Sequence, residues 1–536
     1  MPTGRASGRE RGLQPLSEHQ PRPIVTSAKR LSTNTVWGLA NQVSAIPLTL
    51  VLVPVLLHHL GRLEFGEWAL VAVLLSYTGL TEFGLRTPLT RDVAAQWATG
   101  DDLGLSRVVN TAILFYGAIG VAALGATALL APWLIDHLFH DPGHTRLLTE
   151  VLLIAVGAFA LNLSLTPLGA VLNGLQRLTV DSGIAITSRA LGVVLAIASL
   201  LTGHGLLGLA ISQVLTAVVT NVAYIVAVRL VCPQLRMNPM LFHWATLRAT
   251  LRFGSQVQVS RVALIVEDQF GRTVLAYLLG PAALAAYQIA DRLFVGIRSL
   301  PMPLMLSMLP AASELEKRNL RAGVTDLYFK GLRYVAMVSA PLFIGAAVIS
   351  FPFIPLWVGG GYGQAAPTAA IIIGSYFIWI TTGPGDVVLL ARGRPQVGMW
   401  ASLIRLAIHV VAAIVLIRLF GYYGAPISVA VSTTLSMGYY QVRIHRILAI
   451  RWIDTLRLCL LRPLAASAIA AGIFVALTLV VPTRNIFVVV GLTGVYCCVY
   501  LGALTALGGI GTADLRILVK ASPWRPSSPA IDKRGL

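Results

Sequence analysis

Long apolar blocks dominate this chain, and short polar connections separate each block from the next. A block of about 20 apolar residues spans the roughly 30 Å hydrocarbon core of a bilayer as an α-helix, which satisfies its own backbone hydrogen bonds. The pattern therefore predicts an all-α membrane protein with about 14 transmembrane helices. The predicted spans are 34–57, 66–88, 106–131, 147–170, 180–202, 205–230, 255–280, 282–309, 331–352, 368–390, 397–420, 423–444, 461–482 and 485–510.

The polar connections alternate in charge along the chain. One set of connections, together with the two chain ends, holds most of the basic residues. The alternate set holds only Arg62, Arg146, Arg418 and Arg484. Because short loops rich in Lys and Arg stay in the cytoplasm, both termini are expected to be cytoplasmic.

The two ends of the chain differ in composition from the blocks between them. Residues 1–33 and 511–536 are polar, basic and contain proline, which predicts a disordered cytoplasmic arm and a cytoplasmic tail. A signal peptide is not predicted, because the first apolar run is long and many further runs follow it.

Three ordered sequence matches recur at a nearly constant offset of 216 to 219 residues. They pair residues 60–68 with 279–287, 167–177 with 384–394, and 205–212 with 421–428. The offset contains six predicted helices, so both copies would have the same orientation in the membrane. This predicts two six-helix lobes related by an axis along the membrane normal, with a substrate path between them.

The repeat and the charge pattern together define the expected domain organisation. Predicted helices 13 and 14 fall outside the repeat and form an extra C-terminal pair. The expected units are the arm 1–33, an N-lobe 34–230, a C-lobe 250–446, the extra helices 460–510 and the tail 511–536.

Composition supports a membrane protein and argues against a soluble one. The chain is 56% hydrophobic and 12% charged, with a mean hydropathy of +0.76, whereas soluble chains carry about 25% charged residues. The net charge of +19 would suggest nucleic acid in a soluble protein. Here the basic residues lie mainly in the connections, so no nucleic-acid partner is predicted.

The cysteines and the known catalytic motifs give no sign of a cofactor, metal or enzyme. Cys232, Cys459, Cys497 and Cys498 lie in or beside apolar helices and lack metal-ligand spacing. The chain has no P-loop, no His-Glu-x-x-His and no Gly-x-Ser-x-Gly with triad partners. We therefore expect no cofactor, no metal site, no catalytic residue and no enzymatic activity.

Several charged residues lie inside predicted helices, where each costs about 2.5–3.5 kcal/mol unless it faces a cavity or a partner. Arginine is a natural phosphate ligand, because its planar guanidinium donates two parallel hydrogen bonds and stays charged. The residues predicted to bind substrate in a cavity are Arg86, Arg189, Arg272, Arg292, Arg298, Arg405, Asn41 and Gln42.

Each of these assignments has a structural alternative. The long side chains of Arg86 and Arg298 could instead extend to the membrane interface. Asn41 and Gln42 suit sugar hydroxyls and interhelical hydrogen bonds equally well. Arg189 and Arg405 occupy nearly equivalent positions in the two repeats, which favours a shared role.

Glu267, Asp268 and Asp291 are candidates for ion coupling. Asp268 and Arg272 are four residues apart and can pair on one helix face, as either part of an aqueous site or a purely structural ion pair. Glu267 points about 100° away from Asp268, so only Asp268 is expected to face Arg272 squarely, and Glu267 is left with a less favourable partner or with water in the cavity. Glu267 is therefore the candidate proton carrier.

The segments around predicted helices 1–2 and 7–8 resemble the O-antigen and exopolysaccharide flippases of the multidrug/oligosaccharidyl-lipid/polysaccharide exporter superfamily. The resemblance covers about residues 30–450 and rests on four stretches. These are Leu60–Trp68, Glu82–Leu85 leading to Thr90–Ala94, the helix 7 segment with Asp268, and Ala286–Leu293.

The resemblance implies a two-lobed, MATE-like bundle in the bacterial inner membrane that flips undecaprenyl-pyrophosphate-linked oligosaccharides, with ion coupling. A polysaccharide polymerase and a chain-length regulator are the implied protein partners. Many members stop at 12 helices, so the extra pair here would form either a lipid-tail groove or added support.

Two other functions fit parts of the pattern. A cation-coupled drug exporter of the same superfamily would have an acid-dominated cavity, and the many arginines argue against it. A membrane-embedded polymerase or glycosyltransferase would need acidic catalytic residues at the membrane edge and a large periplasmic loop, and neither is visible.

Overall fold

The computed structural model describes residues 28–82, 86–139, 144–306, 308–318 and 320–509. Every regular element in these ranges is a helix. Most of the predicted cytoplasmic arm and all of the tail 511–536 lie outside the described residues, as does the segment 83–85 of the resembling stretch.

The first seven helices are here called the N-half. They are α1 (Ala28–Val43), α2 (Ala45–Tyr77), α3 (Arg86–Thr99), α4 (Asp102–Phe139), α5 (Thr145–Gly174), α6 (Leu178–Leu201) and α7 (Gly205–Val231). Helix α5 packs against α4 and α7, and α6 packs against α1, α2 and α7, so these helices form one bundle.

The next nine helices are here called the C-half. They are α8 (Trp244–Leu279), α9 (Pro281–Ser299), α10 (Met302–Leu306), α11 (Leu309–Lys317), α12 (Arg321–Val358), α13 (Ala365–Ile380), α14 (Gly383–Ala391), α15 (Gln396–Phe420) and α16 (Gly424–Leu448). Helix α15 packs against α8 and α16, and α13 packs against α9, α12 and α16.

The chain then adds α17 (Trp452–Thr455), α18 (Leu461–Val480) and α19 (Ile486–Ala506). Helices α18 and α19 pack on the outer side of α12. The Tyr496 hydroxyl donates to the Pro341 carbonyl at 3.1 Å, and Tyr500 donates to the Met337 carbonyl at 2.6 Å. Both carbonyls belong to α12, so the extra pair is attached to the C-half.

Ten segments of the described chain are long and apolar enough to cross a membrane. Four of them contain more than one helix, and the two longest are Val36–Thr81 with 46 residues and Gln396–Leu448 with 53 residues. Helices α8 and α9 are not among the ten because they carry the charged residues described below. The count of 14 therefore stays a prediction, as does the assignment of lobes.

Glycines set two sharp breaks in the helices. Gly61 divides α2 with φ +70° and ψ −171°, and Gly280 separates α8 from α9 with φ +82° and ψ 170°. Only glycine adopts this region without strain. The two positions are those that the predicted repeat aligns.

Helix α2 packs closely on α9, where the two halves meet. A side chain at Gly66 would overlap the Pro281 carbonyl, so only glycine permits this approach. Arg62 Nε donates to the Ala282 carbonyl at 3.2 Å, and Trp357 Nε1 donates to the Leu50 carbonyl at 2.8 Å.

Several predicted spans are wrong in detail. The predicted helix 282–309 ends at Ser299, because Pro301 and Pro303 follow and proline cannot continue the hydrogen-bond ladder. The predicted helix 368–390 is divided between α13 and α14 by Thr381 and Thr382. Helices α3 and α11 lie mostly in regions that the sequence pattern predicts as connections, because both helices are too polar and too short for membrane spans.

Candidate substrate cavity between the halves

A cavity of about 900 Å³ lies between α1, α2 and α6 on one side and α8, α9 and α12 on the other. Its wall combines apolar residues such as Ile46 and Phe353 with many polar and charged ones. The predicted residues that line it are Asn41, Gln42, Arg189, Asp268, Arg272, Asp291, Arg292 and Arg298. Gln269 and Gln288 also line the cavity and were missed, since uncharged glutamines carry no distinctive spacing.

Three predicted residues do not line this cavity. Arg86 lies at the start of α3 with its side chain 55% exposed, and its Nη2 lies 3.7 Å from the Asp181 carboxylate. Arg405 and Glu267 are buried behind the cavity wall in the C-half. The expectation that Arg86 and Arg405 face the cavity is therefore wrong for this structure.

Arg272 is held by two carboxylates at the cavity wall. Its Nη2 lies 2.8 Å from Asp291 Oδ1 on α9 and 3.2 Å from Asp268 Oδ1 one turn earlier on α8. The predicted pairing of Asp268 with Arg272 is confirmed. Gln269 Nε2 also donates to Asp268 at 2.9 Å, which fixes this carboxylate from its other side.

Glu267 has an arginine partner, contrary to the prediction. Its Oε2 lies 2.7 Å from Arg405 Nη2, and the two side chains are only 7% and 4% exposed. The pair forms because α15 packs along α8, a relation between helices that spacing within one helix cannot show. A buried charge needs a partner of opposite charge, and this requirement could have indicated from the sequence that Glu267 and Arg405 form a pair.

Five charged residues of the C-half thus form one group, called here the C-half cluster. Its members are Glu267, Asp268, Arg272, Asp291 and Arg405. It holds three carboxylates and two guanidinium groups, so its formal charge is −1 when all are ionised. Asp268 is 43% exposed, while Asp291 is 10% and Glu267 is 7% exposed. Asp268 is therefore the member most open to the cavity.

Arg189 of the N-half has only neutral partners among the described residues. Its Nη1 donates to the Asn41 carbonyl at 2.8 Å and to Ser44 Oγ at 2.7 Å, and its Nη2 donates to Asn41 Oδ1 at 3.1 Å. These contacts fix the guanidinium at the cavity wall and leave its positive charge without a carboxylate.

Arg292 projects from α9 with an exposed side chain and also lines the cavity. It forms no ion pair within the described part of the chain. Arg298 lies six residues further along α9, and its Cζ is 5.9 Å from the centre of the Tyr376 ring. Arg189 and Arg292 thus bring to one cavity positive charge that no ion pair among the described residues neutralises, an arrangement that attracts anions.

No group of three or more His, Cys, Asp or Glu side chains suited to a metal ion occurs in the described ranges. The lining of the cavity offers ionic and hydrogen-bonding chemistry. The arginines, amides and carboxylates at its wall can hold an anion, hydroxyl groups or a small cation.

Known structures share this fold at low sequence identity. The chain aligns with a lipid II flippase, MurJ, in an inward closed conformation, with a TM-score of 0.70 and 13% identity over 91% of this chain and all of the other. It also aligns with an inward-facing multidrug resistance MATE transporter of the MOP superfamily, with a TM-score of 0.60 and 15% identity over 78% of this chain and 98% of the other.

Curated relatives match by sequence over most of their length. A "Probable flippase AglR" of Haloferax volcanii is 21% identical over 71% of this chain and 76% of its own. A "Putative O-antigen transporter" of Shigella flexneri is 22% identical over 75% of this chain and 94% of its own.

The model of one protein family, described as polysaccharide biosynthesis protein, matches residues 56–367. The match covers more than half of the chain and includes α9 with Asp291 and Arg292, as well as α8 with the rest of the cluster except Arg405. Its membrane helices and its MOP-type fold agree with that match. The chain belongs to the polysaccharide biosynthesis protein family.

Proposed function

We propose that this protein flips an undecaprenyl-pyrophosphate-linked oligosaccharide, an O-antigen or exopolysaccharide repeat unit, from the cytoplasmic to the periplasmic leaflet. The observation that carries the proposal is the pair Arg189 and Arg292, two cations that face the central cavity and form no ion pair with the described residues. A pyrophosphate group is a dianion or more at neutral pH, and guanidinium groups bind its oxygens in bidentate fashion. The relatives named as flippase and O-antigen transporter support the same function.

The protein acts as a transporter and not as an enzyme in this proposal, with no cofactor. Transport is coupled to H⁺ or Na⁺ by the C-half cluster as a unit, since its formal charge of −1 leaves room for one cation. Asp268 is the member through which that cation enters, because it is the carboxylate most open to the cavity. This replaces the assignment of Glu267 as a solitary proton carrier.

The proposed architecture has 14 membrane helices, two repeated lobes and an extra pair, with both termini in the cytoplasm of the bacterial inner membrane. Backbone angles support the repeat: Gly205 and Gly421, which the repeat aligns, have φ +53° and +57°. Gln176 and Gly393 are 217 residues apart and have φ +56° and +65°.

A partly buried hydrogen bond that occurs in both halves gives further support to the repeat. Tyr224 on α7 donates to Asp181 at 2.9 Å, and Tyr440 on α16, 216 residues later, donates to Asp386 at 2.5 Å. The aspartates come from different helices, α6 and α14. Each faces the glycine at which the other half carries its aspartate, Gly169 and Gly398 respectively. One duplicated contact with its two members exchanged explains this arrangement.

A polysaccharide polymerase and a chain-length regulator are the proposed functional partners, because they would use the flipped repeat unit. The alternative function is a cation-coupled drug exporter. The MATE-like fold and the negative C-half cluster favour it, while the two uncompensated arginines oppose it.

Flipping of undecaprenyl-pyrophosphate-linked oligosaccharide in proteoliposomes tests the proposal. Arg292→Ala should reduce the flipping rate at least about tenfold, because a hydrogen bond to a charged group contributes roughly 1.5–3 kcal/mol. Arg292→Lys should restore it only in part, since the bidentate geometry is lost. Arg146→Ala, at a side chain 94% exposed on α5, is the matched control. Unchanged flipping by Arg292→Ala would reject the pyrophosphate role.

A further inference from the structure

A second cavity of about 450 Å³ lies inside the N-half, between α2, α5, α6 and α7. Arg189 and Arg292 line both this side cavity and the central cavity. The side cavity therefore joins the central one at the two arginines that lack carboxylate partners.

The wall of the side cavity combines aromatic rings with polar side chains. Trp68 and Phe159 contribute rings, and Asn162, Ser188 and Gln213 contribute hydrogen-bonding groups. Small apolar residues such as Ala158 and Gly192 fill the rest of the wall, which leaves room beside the rings.

The polar groups of the wall have unused hydrogen-bonding capacity. The side chains of Ser188 and Gln213 form no hydrogen bond with any other described residue of the protein. Asn162 Oδ1 accepts from Asn221 Nδ2 at 3.3 Å, which leaves the two Nδ2 hydrogens of Asn162 available. Polar groups inside a helical bundle normally bond to neighbouring helices, so these three are placed for a ligand or water.

We propose that the side cavity is a subsite for the sugar that is bonded directly to the pyrophosphate. The inference rests on the proposed function and extends it to recognition of one sugar ring. The order of groups matches, because a lipid-linked sugar carries its ring next to the phosphate that Arg189 and Arg292 would hold at the junction. An aromatic wall with a few fixed amide and hydroxyl groups is typical of a pocket that orients a small polar ligand.

The polar wall also argues against an apolar lipid tail as the occupant. Covering the amides of Asn162 and Gln213 with hydrocarbon would leave them without partners, which is unfavourable. Sugar hydroxyls can both donate to and accept from a glutamine amide, so they supply the partners that hydrocarbon lacks.

Ligand binding to the purified full-length chain tests the subsite. The probes are undecaprenyl pyrophosphate without sugar and a panel of undecaprenyl-pyrophosphate lipids that each carry one hexose or N-acetylhexosamine. The wild type should bind at least one glycosylated probe about fivefold or more tightly than the bare probe. Gln213→Leu should remove most of that preference, because a pocket built to bond a hydroxyl discriminates strongly through it, and should leave binding of the bare probe unchanged.

A control variant and the comparison of bare with glycosylated probes make the outcomes distinct. Gln396→Leu, at an exposed position at the start of α15, is the control and should keep the preference. Equal wild-type affinity for bare and glycosylated probes would overturn the sugar subsite and leave the pyrophosphate role intact. Equal loss of both classes of probe in Gln213→Leu, or tighter binding of the bare probe, would also overturn it. No wild-type binding of any probe would contradict the proposed function itself.

Discussion

Arg189 in the N-half and Arg405 in the C-half occupy matching positions of the predicted repeat, yet their surroundings differ. Arg405 is buried against Glu267 at 2.7 Å and does not reach the central cavity. Arg189 is held by the carbonyl and amide oxygens of Asn41 and by Ser44 Oγ, and it lines the cavity. The C-half therefore neutralises its arginine internally, whereas the N-half exposes its arginine to the central cavity.

A second contrast lies within the C-half itself. The C-half cluster compensates both of its arginines with three carboxylates, whereas Arg292 on α9 forms no ion pair with the described residues and lines both the central cavity and the cavity inside the N-half. The difference suggests a division of labour, in which the C-half cluster handles a cation and the junction of Arg189 and Arg292 handles an anion.

The largest expected difference between the halves is in stability. Arg405→Ala leaves the Glu267 carboxylate buried without a partner, which costs about 3–5 kcal/mol. Arg189→Ala removes contacts to neutral oxygens only and should cost less, roughly 1–3 kcal/mol. Thermal unfolding of the purified variants, followed by loss of the monodisperse peak, should place Arg405→Ala well below Arg189→Ala.

Adding Glu267→Gln to Arg405→Ala provides the control for that comparison. The double variant removes the unpaired charge, so it should recover part of the lost stability. Equal stability of Arg405→Ala and Arg189→Ala would show that the two arginines do the same structural job, and the contrast between the halves would fail.

A smaller effect on stability is expected from moving the aspartate that accepts from Tyr224 in the N-half from α6 to α5. Asp181→Gly removes the acceptor of the Tyr224 hydroxyl and should cost about 1–3 kcal/mol. Adding Gly169→Asp places the aspartate where the C-half carries Asp386, and should restore most of the stability. Adding Gly183→Asp instead, at a position with open space around it, should not. Absence of rescue by Gly169→Asp would count against the repeat.

The smallest effect concerns Asp268. In Asp268→Asn the guanidinium of Arg272 keeps Asp291 at 2.8 Å, and Asp268 is 43% exposed, so stability should change by less than about 1 kcal/mol. Asp291→Asn breaks the more buried contact and should destabilise the protein more. Transport by Asp268→Asn should lose its dependence on the H⁺ or Na⁺ gradient, and retention of that dependence would remove Asp268 from the coupling step.

These contrasts also show where sequence reasoning succeeded and where it stopped. The pair Asp268–Arg272 was predicted because its members are one turn apart on a single helix. The pair Glu267–Arg405 was not, because it depends on how α15 packs along α8. The end of α9 at Ser299 could have been predicted from Pro301, but the apolar run beyond it concealed the break.

The side cavity was invisible in the sequence for a related reason. Ser188 and Gln213 are uncharged polar residues in long apolar helices and have no spacing that links them. Arg189 and Asn41 were both predicted to bind substrate, and their mutual hydrogen bonds emerged only when α1 was placed against α6. Helix-to-helix packing, more than local pattern, decides which polar residues share a site.

The central claim is that Arg189 and Arg292 recognise an anionic head group, and direct binding measurements test it. The affinity of the purified protein should be measured at fixed ionic strength for undecaprenyl pyrophosphate and for uncharged undecaprenol. The double variant Arg189→Ala/Arg292→Ala should bind undecaprenyl pyrophosphate about 100-fold more weakly than the wild type, since two hydrogen bonds to charged groups are lost, and should bind undecaprenol equally well. Unchanged affinity for undecaprenyl pyrophosphate in the double variant would contradict the account.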